Sequence, residues 1–223
     1  LLRGIKDFYP ASSYLEYFNN NIYLLSSIGI TAYGQIDKNR LILKQIENNL
    51  DKFFGKKDFE GFLRIDVSEK KNTKNTNWFS YKDIKIINNS VYLSYIHQLE
   101  KDCWTPAIVS AELNHNFLEF EQIFLTENCI HKFNNIDKSF SANQTGGRIE
   151  LLNENEIIFT TGEFRERYLA QQDNIYGKLI SINLKSKKYR ILSKGHRNPQ
   201  GIVYDKKNNL IIASEHGPQS GDE

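Results

Sequence analysis

Short apolar segments alternate along the chain with turns rich in Asn, Lys, Gly and Ser. Runs of this kind, bounded by turn residues, predict strands. They fall at Ile22–Ser26, Ile84–Ile87, Val91–Ile96, Ala107–Leu113, Gln122–Thr126, Arg148–Leu152, Ile157–Thr161, Lys178–Leu184, Tyr189–Ser193, Gly201–Tyr204 and Leu210–Ser214. Only Ser13–Phe18 and Leu41–Phe54 hint at helix, and the second is equally compatible with a strand followed by a loop. With so little helix between strands, the sheets are expected to be antiparallel.

A weak repeat organises these strands. Asn20-Asn21-Ile22-Tyr23-Leu24, Asn89-Ser90-Val91-Tyr92-Leu93, Asn155-Glu156-Ile157-Ile158-Phe159 and Asn208-Asn209-Leu210-Ile211-Ile212 share one shape, a polar turn containing Asn followed by an apolar strand start. The apolar positions 22, 91, 157 and 210 lie 69, 66 and 53 residues apart. Such spacing allows one four-stranded blade per unit with long loops, the signature of a β-propeller. A β-sandwich with coincidental Asn turns is the plainer alternative. About four blade starts fit in the 223 residues, so a closed ring requires more chain.

Composition narrows the class. Aromatic residues make up 13% of the chain, enough for a packed core and unlike a disordered tail. A net charge of +2 says little about partners. The lysine pairs at 70–71, 187–188 and 206–207 sit among turn residues, where they read as solvated loop charges and not as a nucleic-acid surface. No apolar run approaches the roughly 20 residues of a membrane-spanning helix. The chain starts at Leu1 and stops at Asp222-Glu223 directly after a motif-like loop. Residues 1–223 are therefore expected to be one domain truncated at its C-terminus, with any signal sequence upstream.

Cys103 and Cys129 are placed symmetrically about residue 116, inside the polar loop of a hairpin formed by Ala107–Leu113 and Gln122–Thr126. Symmetric positions face each other across a hairpin, which predicts a disulfide and an oxidising compartment. Two independent small hydrophobes in a reducing cytosol are the alternative. Two cysteines without matched ligands make an incomplete zinc site.

Two segments near the C-terminus are unusual for plain strand and turn. Gly195-His196-Arg197-Asn198-Pro199-Gln200-Gly201 strings a cation, an amide and a rigid Pro between glycines. Glu215-His216-Gly217-Pro218 follows the last strand. Arg197 offers a planar fork suited to a carboxylate, and Asn198 both donor and acceptor. Gly217-Pro218 constrains a turn whose carbonyls suit a hard cation such as calcium. Each segment alone is also compatible with a structural turn.

Together they resemble the PQQ-dependent soluble aldose sugar dehydrogenases, the glucose/sorbosone dehydrogenase family. The matching stretches are Gly146-Gly147-Arg148-Ile149, Thr161-Gly162-Glu163, Ala170-Gln171-Gln172-Asp173, Gly177-Lys178-Leu179, the two segments just named and Gly221-Asp222-Glu223. The resemblance covers residues 146–223 well, Val91–Phe124 moderately and little before residue 80. It implies an exported, periplasmic or secreted, six-bladed propeller of four-stranded antiparallel blades, of which this chain holds roughly the first four blade starts. It further implies pyrroloquinoline quinone (PQQ) and calcium near the axis, a small sugar or alcohol substrate, and an external electron acceptor. Arg197 and Asn198 would contact the quinone, and the carbonyls of Gly217 and Pro218 would hold its calcium.

The departures are as informative. The family's catalytic base is a His four residues before the Arg of the Gly-Arg motif, and here that position is Gln144. A carboxamide hydrogen-bonds a hydroxyl but does not take its proton near neutral pH. A glycine-rich stretch preceding another cofactor contact is replaced by Trp78-Phe79-Ser80, where Trp78 either stacks on a flat ligand or fills a blade interface. His97 and His131 are candidates for a relocated base. Two main readings follow: a PQQ-dependent dehydrogenase with an altered proton-transfer step, or a propeller of the same family that binds a ligand or protein without turnover. A calcium-dependent lactonase on a similar propeller would account for the calcium loop but not for Gly195–Gly201.

Overall fold

A computed structural model describes residues 13–26, 29–37, 40–53, 80–137 and 139–217. Among the described residues the regular structure is strand throughout, apart from 3-10 turns at Leu50–Lys52 and Arg167–Gln171. Strands β1 (Tyr14–Phe18), β2 (Asn21–Leu25), β3 (Thr31–Asp37) and β4 (Arg40–Asn48) form the first antiparallel blade. The second contains β5 (Tyr81–Ile87), β6 (Ser90–Glu100) and β7 (Cys103–Glu112). Its outer edge is shared by β9 (Glu121–Leu125) and β10 (Ile130–His131), while the short β8 (Phe117–Leu118) reaches back to pair with β4 of the first blade. The third blade runs β11 (Gly146–Asn153), β12 (Glu156–Thr161), β13 (Lys178–Asn183) and β14 (Tyr189–Lys194) in order. β15 (Pro199–Asp205) and β16 (Leu210–Glu215) open a fourth as a hairpin.

The Asn repeat marks one recurrent element. Positions 22, 91, 157 and 210 all lie on the second strand of their blade, just after the hairpin turn from the first. At Asn19-Asn20 and Asn88-Asn89 both turn residues have positive φ, near 47° and 62° and near 48° and 63°. That is the conformation of a type I′ turn, whose twist matches the flanking strands and which Asn tolerates better than most residues. The second strands then enter the core. Ile157, Ile158 and Phe159 of β12 are wholly buried, each contributing about 1.5–3 kcal/mol relative to exposure.

One sequence expectation changes, one open alternative is decided and one strand is added. Ser13–Phe18 is not helical: Tyr14–Phe18 is a strand whose residues alternate in burial, with Tyr14, Glu16 and Phe18 on the more buried face and Leu15 and Tyr17 on the exposed one. Leu41–Phe54 resolves as β4 followed by the 3-10 turn Leu50–Lys52, with Phe54 outside the described residues. Strand β3, absent from the predicted strands, is present. Trp78 and Phe79 lie outside the described residues.

The predicted disulfide is present, with Cα atoms of Cys103 and Cys129 5.4 Å apart. Ala107 pairs with Leu125 and Ile108 with Phe124; continued four residues, that register sets 103 against 129. The outer strand then bulges before β10 resumes with Ile130 opposite Trp104. The bridge thus ties the bulge to β7.

First strands of successive blades touch, β1 to β5, β5 to β11 and β11 to β15. Innermost position for the first strand, with the others stacked outward, is propeller geometry. Because neighbours run antiparallel, the starts of β11 and β15 and the ends of β12 and β16 gather at one end of the molecule.

Candidate functional site

The loops at this end are locked by hydrogen bonds between side chains and the main chain. Thr160 Oγ1 accepts from the Gly147 and Arg148 amides at 3.0 and 2.9 Å and lies 3.0 Å from the Pro199 carbonyl, to which it donates. Asn198, buried, accepts at Oδ1 from the Gly146 amide (3.0 Å) and from Gln200 Nε2 (2.8 Å). These contacts fasten the third blade to the fourth. Arg148 adds to them: its Nε donates to the Gln200 carbonyl at 2.7 Å, and Nη1 lies 3.3 Å from Asp83 Oδ1 on β5.

Glu215 organises the loop before β15. Its Oε2 accepts from the amides of Arg197 (2.7 Å) and Asn198 (3.2 Å), and its Oε1 lies 3.0 Å from His196 Nδ1. A carboxylate only accepts, so that nitrogen carries the proton. Burial pushes the Glu215 carboxyl up, but the hydrogen bonds from His196 and the two amides outweigh it and hold the group below its usual value. The result is an Arg197-Asn198 pair presented on a fixed main chain. Arg197 Nη1 donates to the Gly217 carbonyl, while its Nε is buried without a hydrogen-bond partner.

Beside Arg197 lies a cavity of about 430 Å³ lined by Asp137, Ser139, Gln144, Glu163, Arg165, Arg167 and Arg197. Its walls are cross-linked through the backbone. The Phe164 amide donates to the Gln144 carbonyl and the Glu163 amide to the Arg197 carbonyl, each at 2.9 Å. Gly162 is required there, since a Cβ would stand 2.2 Å from the Gln144 carbonyl oxygen. Besides Arg197 Nε, two more buried polar atoms at this cavity have no hydrogen-bond partner, Gln144 Oε1 and Glu163 Oε1. Three unsatisfied groups around one polar space mark it as a place where a ligand or water completes the bonding.

A model of the Glucose / Sorbosone dehydrogenase family matches residues 85–223, more than half of the chain. The chain belongs to that family. It is 30% identical over 105 residues to the aldose sugar dehydrogenase YliI of Escherichia coli K12, a match covering 41% of this chain and 28% of that protein. Two solved structures share its fold over 95% of its length: a glucose dehydrogenase (TM-score 0.66, 20% identity) and the soluble aldose sugar dehydrogenase of Escherichia coli in its apo form (TM-score 0.64, 19% identity). The chain spans 59% and 58% of those two proteins. The fold is the β-propeller, here three full blades and the opening hairpin of a fourth.

Several residues expected in the family's site converge at this end. Gln144 and Arg197 line the same cavity, with Asn198 next in chain and Gly217 in contact with Arg197. Pro218 lies outside the described residues. The alternative histidines lie elsewhere. His97 stands on β6 edge-on to Tyr95, and His131 on β10 accepts from the Phe133 amide; neither lines the cavity. Asp137, Ser139, Arg165 and Arg167 were not singled out from sequence. Glu163 appeared there only as part of a matching segment, the glycine before it being its one visible signal.

Proposed function

We propose that the protein is a quinoprotein oxidoreductase of the sugar dehydrogenase type, oxidising an aldose or related alcohol with PQQ and calcium. The observation that carries this reading is the buried Arg197 Nε, a cationic donor without an acceptor beside a polar cavity. PQQ is a tricarboxylate, and the donor set suits such a ligand. Arg197 would bind its carboxylate groups. Asn198 has its oxygen committed to Gly146 and Gln200, so it would offer its amide nitrogen. The carbonyls of Gly217 and Pro218 would hold calcium, and Arg197 Nη1 would then exchange the Gly217 carbonyl for an anionic partner. When bound, the quinone supplies a hydride acceptor. Gln144, whose Oε1 is unsatisfied, would hydrogen-bond the bound sugar through its carboxamide without taking a proton.

Export to the periplasm or outside the cell accords with the Cys103–Cys129 bridge, which persists in oxidising compartments. An external electron acceptor would reoxidise the cofactor. The carboxamide at position 144 favours a second reading, a propeller of this family that binds a ligand or protein partner without turnover.

One experiment separates them. Full-length protein is supplied with PQQ and calcium, and reduction of an artificial dye is followed with a panel of aldoses and simple alcohols. The dehydrogenase reading expects calcium-dependent absorbance changes and turnover with at least one sugar. Cofactor binding without turnover leaves the second reading; no binding at all rejects PQQ and calcium for this protein.

A further inference from the structure

We propose that Glu163 is the proton acceptor of this site, performing the step that the Gln144 carboxamide cannot, an assignment that rests on the dehydrogenase reading above. Glu163 is only 4% exposed, and its Oε1 has no hydrogen-bond partner. It lines the same cavity as Gln144 and Arg197. Burying a carboxylate oxygen without a donor is costly, and folds keep such groups where a ligand makes up the deficit. Arg197 Nε stands 3.9 Å from that oxygen, near enough to balance charge yet beyond hydrogen-bonding distance. The oxygen is thus compensated and still free to bond.

Its position is fixed by the wall that carries it. Gly162 lets the Gln144 backbone pass in contact, and the Glu163 and Phe164 amides bond the carbonyls of Arg197 and Gln144. Phe164 and Arg165, just after it, both adopt left-handed φ, near 54° and 70°. Two successive non-glycine residues in that region cost energy, and strain of this kind collects at functional sites. Among the charged neighbours, burial pushes the Glu163 carboxyl up, opposed by Arg167 and Arg197 and assisted by Asp137 and Glu215. A carboxylate raised from its ordinary value is a better general base near neutral pH.

The step balances. The substrate O–H bond breaks, its proton passes to Glu163 Oε1, and the O–H electron pair becomes the second bond of the new carbonyl. The hydride leaving the same carbon passes to an ortho-quinone oxidant. Glu163 then returns the proton to solvent through the cavity.

The test uses full-length protein carrying Glu163→Gln, which keeps shape and removes the basic oxygen. With PQQ and calcium bound, sugar-driven cofactor reduction should slow by about 10²–10⁴-fold. The rise of wild-type rate with pH should flatten, while calcium-dependent PQQ binding and sugar KM stay within about threefold, less than the tenfold that about 1.4 kcal/mol of lost binding would bring. Glu163→Asp should recover part of the rate. Adding Gln144→His to Glu163→Gln should recover more, since an imidazole then supplies a base. Infrared pH titration of cofactor-free protein, wild type against Glu163→Gln, should reveal one carboxyl ionising above the ordinary glutamate value. An undiminished rate or an unchanged pH profile in Glu163→Gln overturns the assignment while leaving the dehydrogenase reading standing. So does a titration lacking that carboxyl. Wild-type protein that binds PQQ but turns over no sugar overturns both.

Discussion

At the scale of single residues, the site depends on one carboxylate that does not itself line the cavity beside Arg197. Glu215 holds the amides of Arg197 and Asn198 and the protonated nitrogen of His196, so one side chain sets the path of the segment that presents Arg197. Glu215→Gln keeps the size and loses the charge. Its replacement should cost about 1–3 kcal/mol at neutral pH, the usual range for weakened bonds to a charged group. The pH dependence has a definite sign. The folded carboxyl lies below its ordinary 4.5, so its stabilising contribution is present above that value and is lost as pH falls through the folded value. Thermal melts should therefore show wild type and Glu215→Gln separated at neutral pH and converging in acid. A gap that stays constant down the titration would contradict this account. Gly162 is the second critical position, because alanine there would force its Cβ to 2.2 Å from the Gln144 carbonyl oxygen. Gly162→Ala should lower stability and disturb the Gln144–Glu163 wall together.

At the scale of strands and hairpins, the disulfide offers a direct measurement. It closes 26 residues of chain around β9, so removing it with Cys103→Ser and Cys129→Ser should lower stability by about 3 kcal/mol. Chemical denaturation under oxidising and reducing conditions reads that loss, and reduction should leave the double variant unmoved. The bridge was legible in the sequence because hairpin symmetry follows from register alone, and the pairs Ala107–Leu125 and Ile108–Phe124 keep residue 116 at their centre even though the register shifts by one residue nearer the loop. Other elements were legible for similar reasons. The Asn turns announce themselves because left-handed backbone restricts the residues that can occupy them. β3 did not, since Gly34 and Gln35 interrupt its alternation; Gly34 is demanded by β4, whose Ile42 carbonyl would lie 2.1 Å from a Cβ. β10, two residues long, is too short to carry a period. At the site, Arg197 and Asn198 stood out through the rare composition of their segment. Asp137 did not, because it reaches the cavity along an irregular loop held by Glu166, which accepts from the Asp137 amide at 3.3 Å. No local pattern encodes such a path.

At the scale of the whole molecule, the first and last of the described blades each present an exposed apolar stripe. The described sheets amount to three blades and the opening hairpin of a fourth, and they do not close a ring among the described residues. On the first blade, Leu15 and Tyr17 of β1 are 62% and 67% exposed, on the face opposite the alternating residues that meet the core. On the other, Val203 and Ile212 face each other across β15 and β16 at 57% and 54% exposure, with Leu210 beside Ile212 on the same face at 51%. Successive strand residues point to opposite faces, so these side chains form stripes and not scattered contacts. Both stripes are where a ring would set its next blade, and a sheet face of this kind left bare tends to find another copy. The 223-residue chain taken by itself should therefore self-associate in a concentration-dependent way, whereas a protein carrying the remaining blades should stay at constant mass. Light scattering over a dilution series distinguishes the two. Val203→Thr with Ile212→Thr, which keeps β-branching while adding hydroxyls, should reduce the association of the 223-residue chain without unfolding it. A chain of constant mass at every concentration would mean that these faces are content in water, and the stripes would then need another explanation than ring closure.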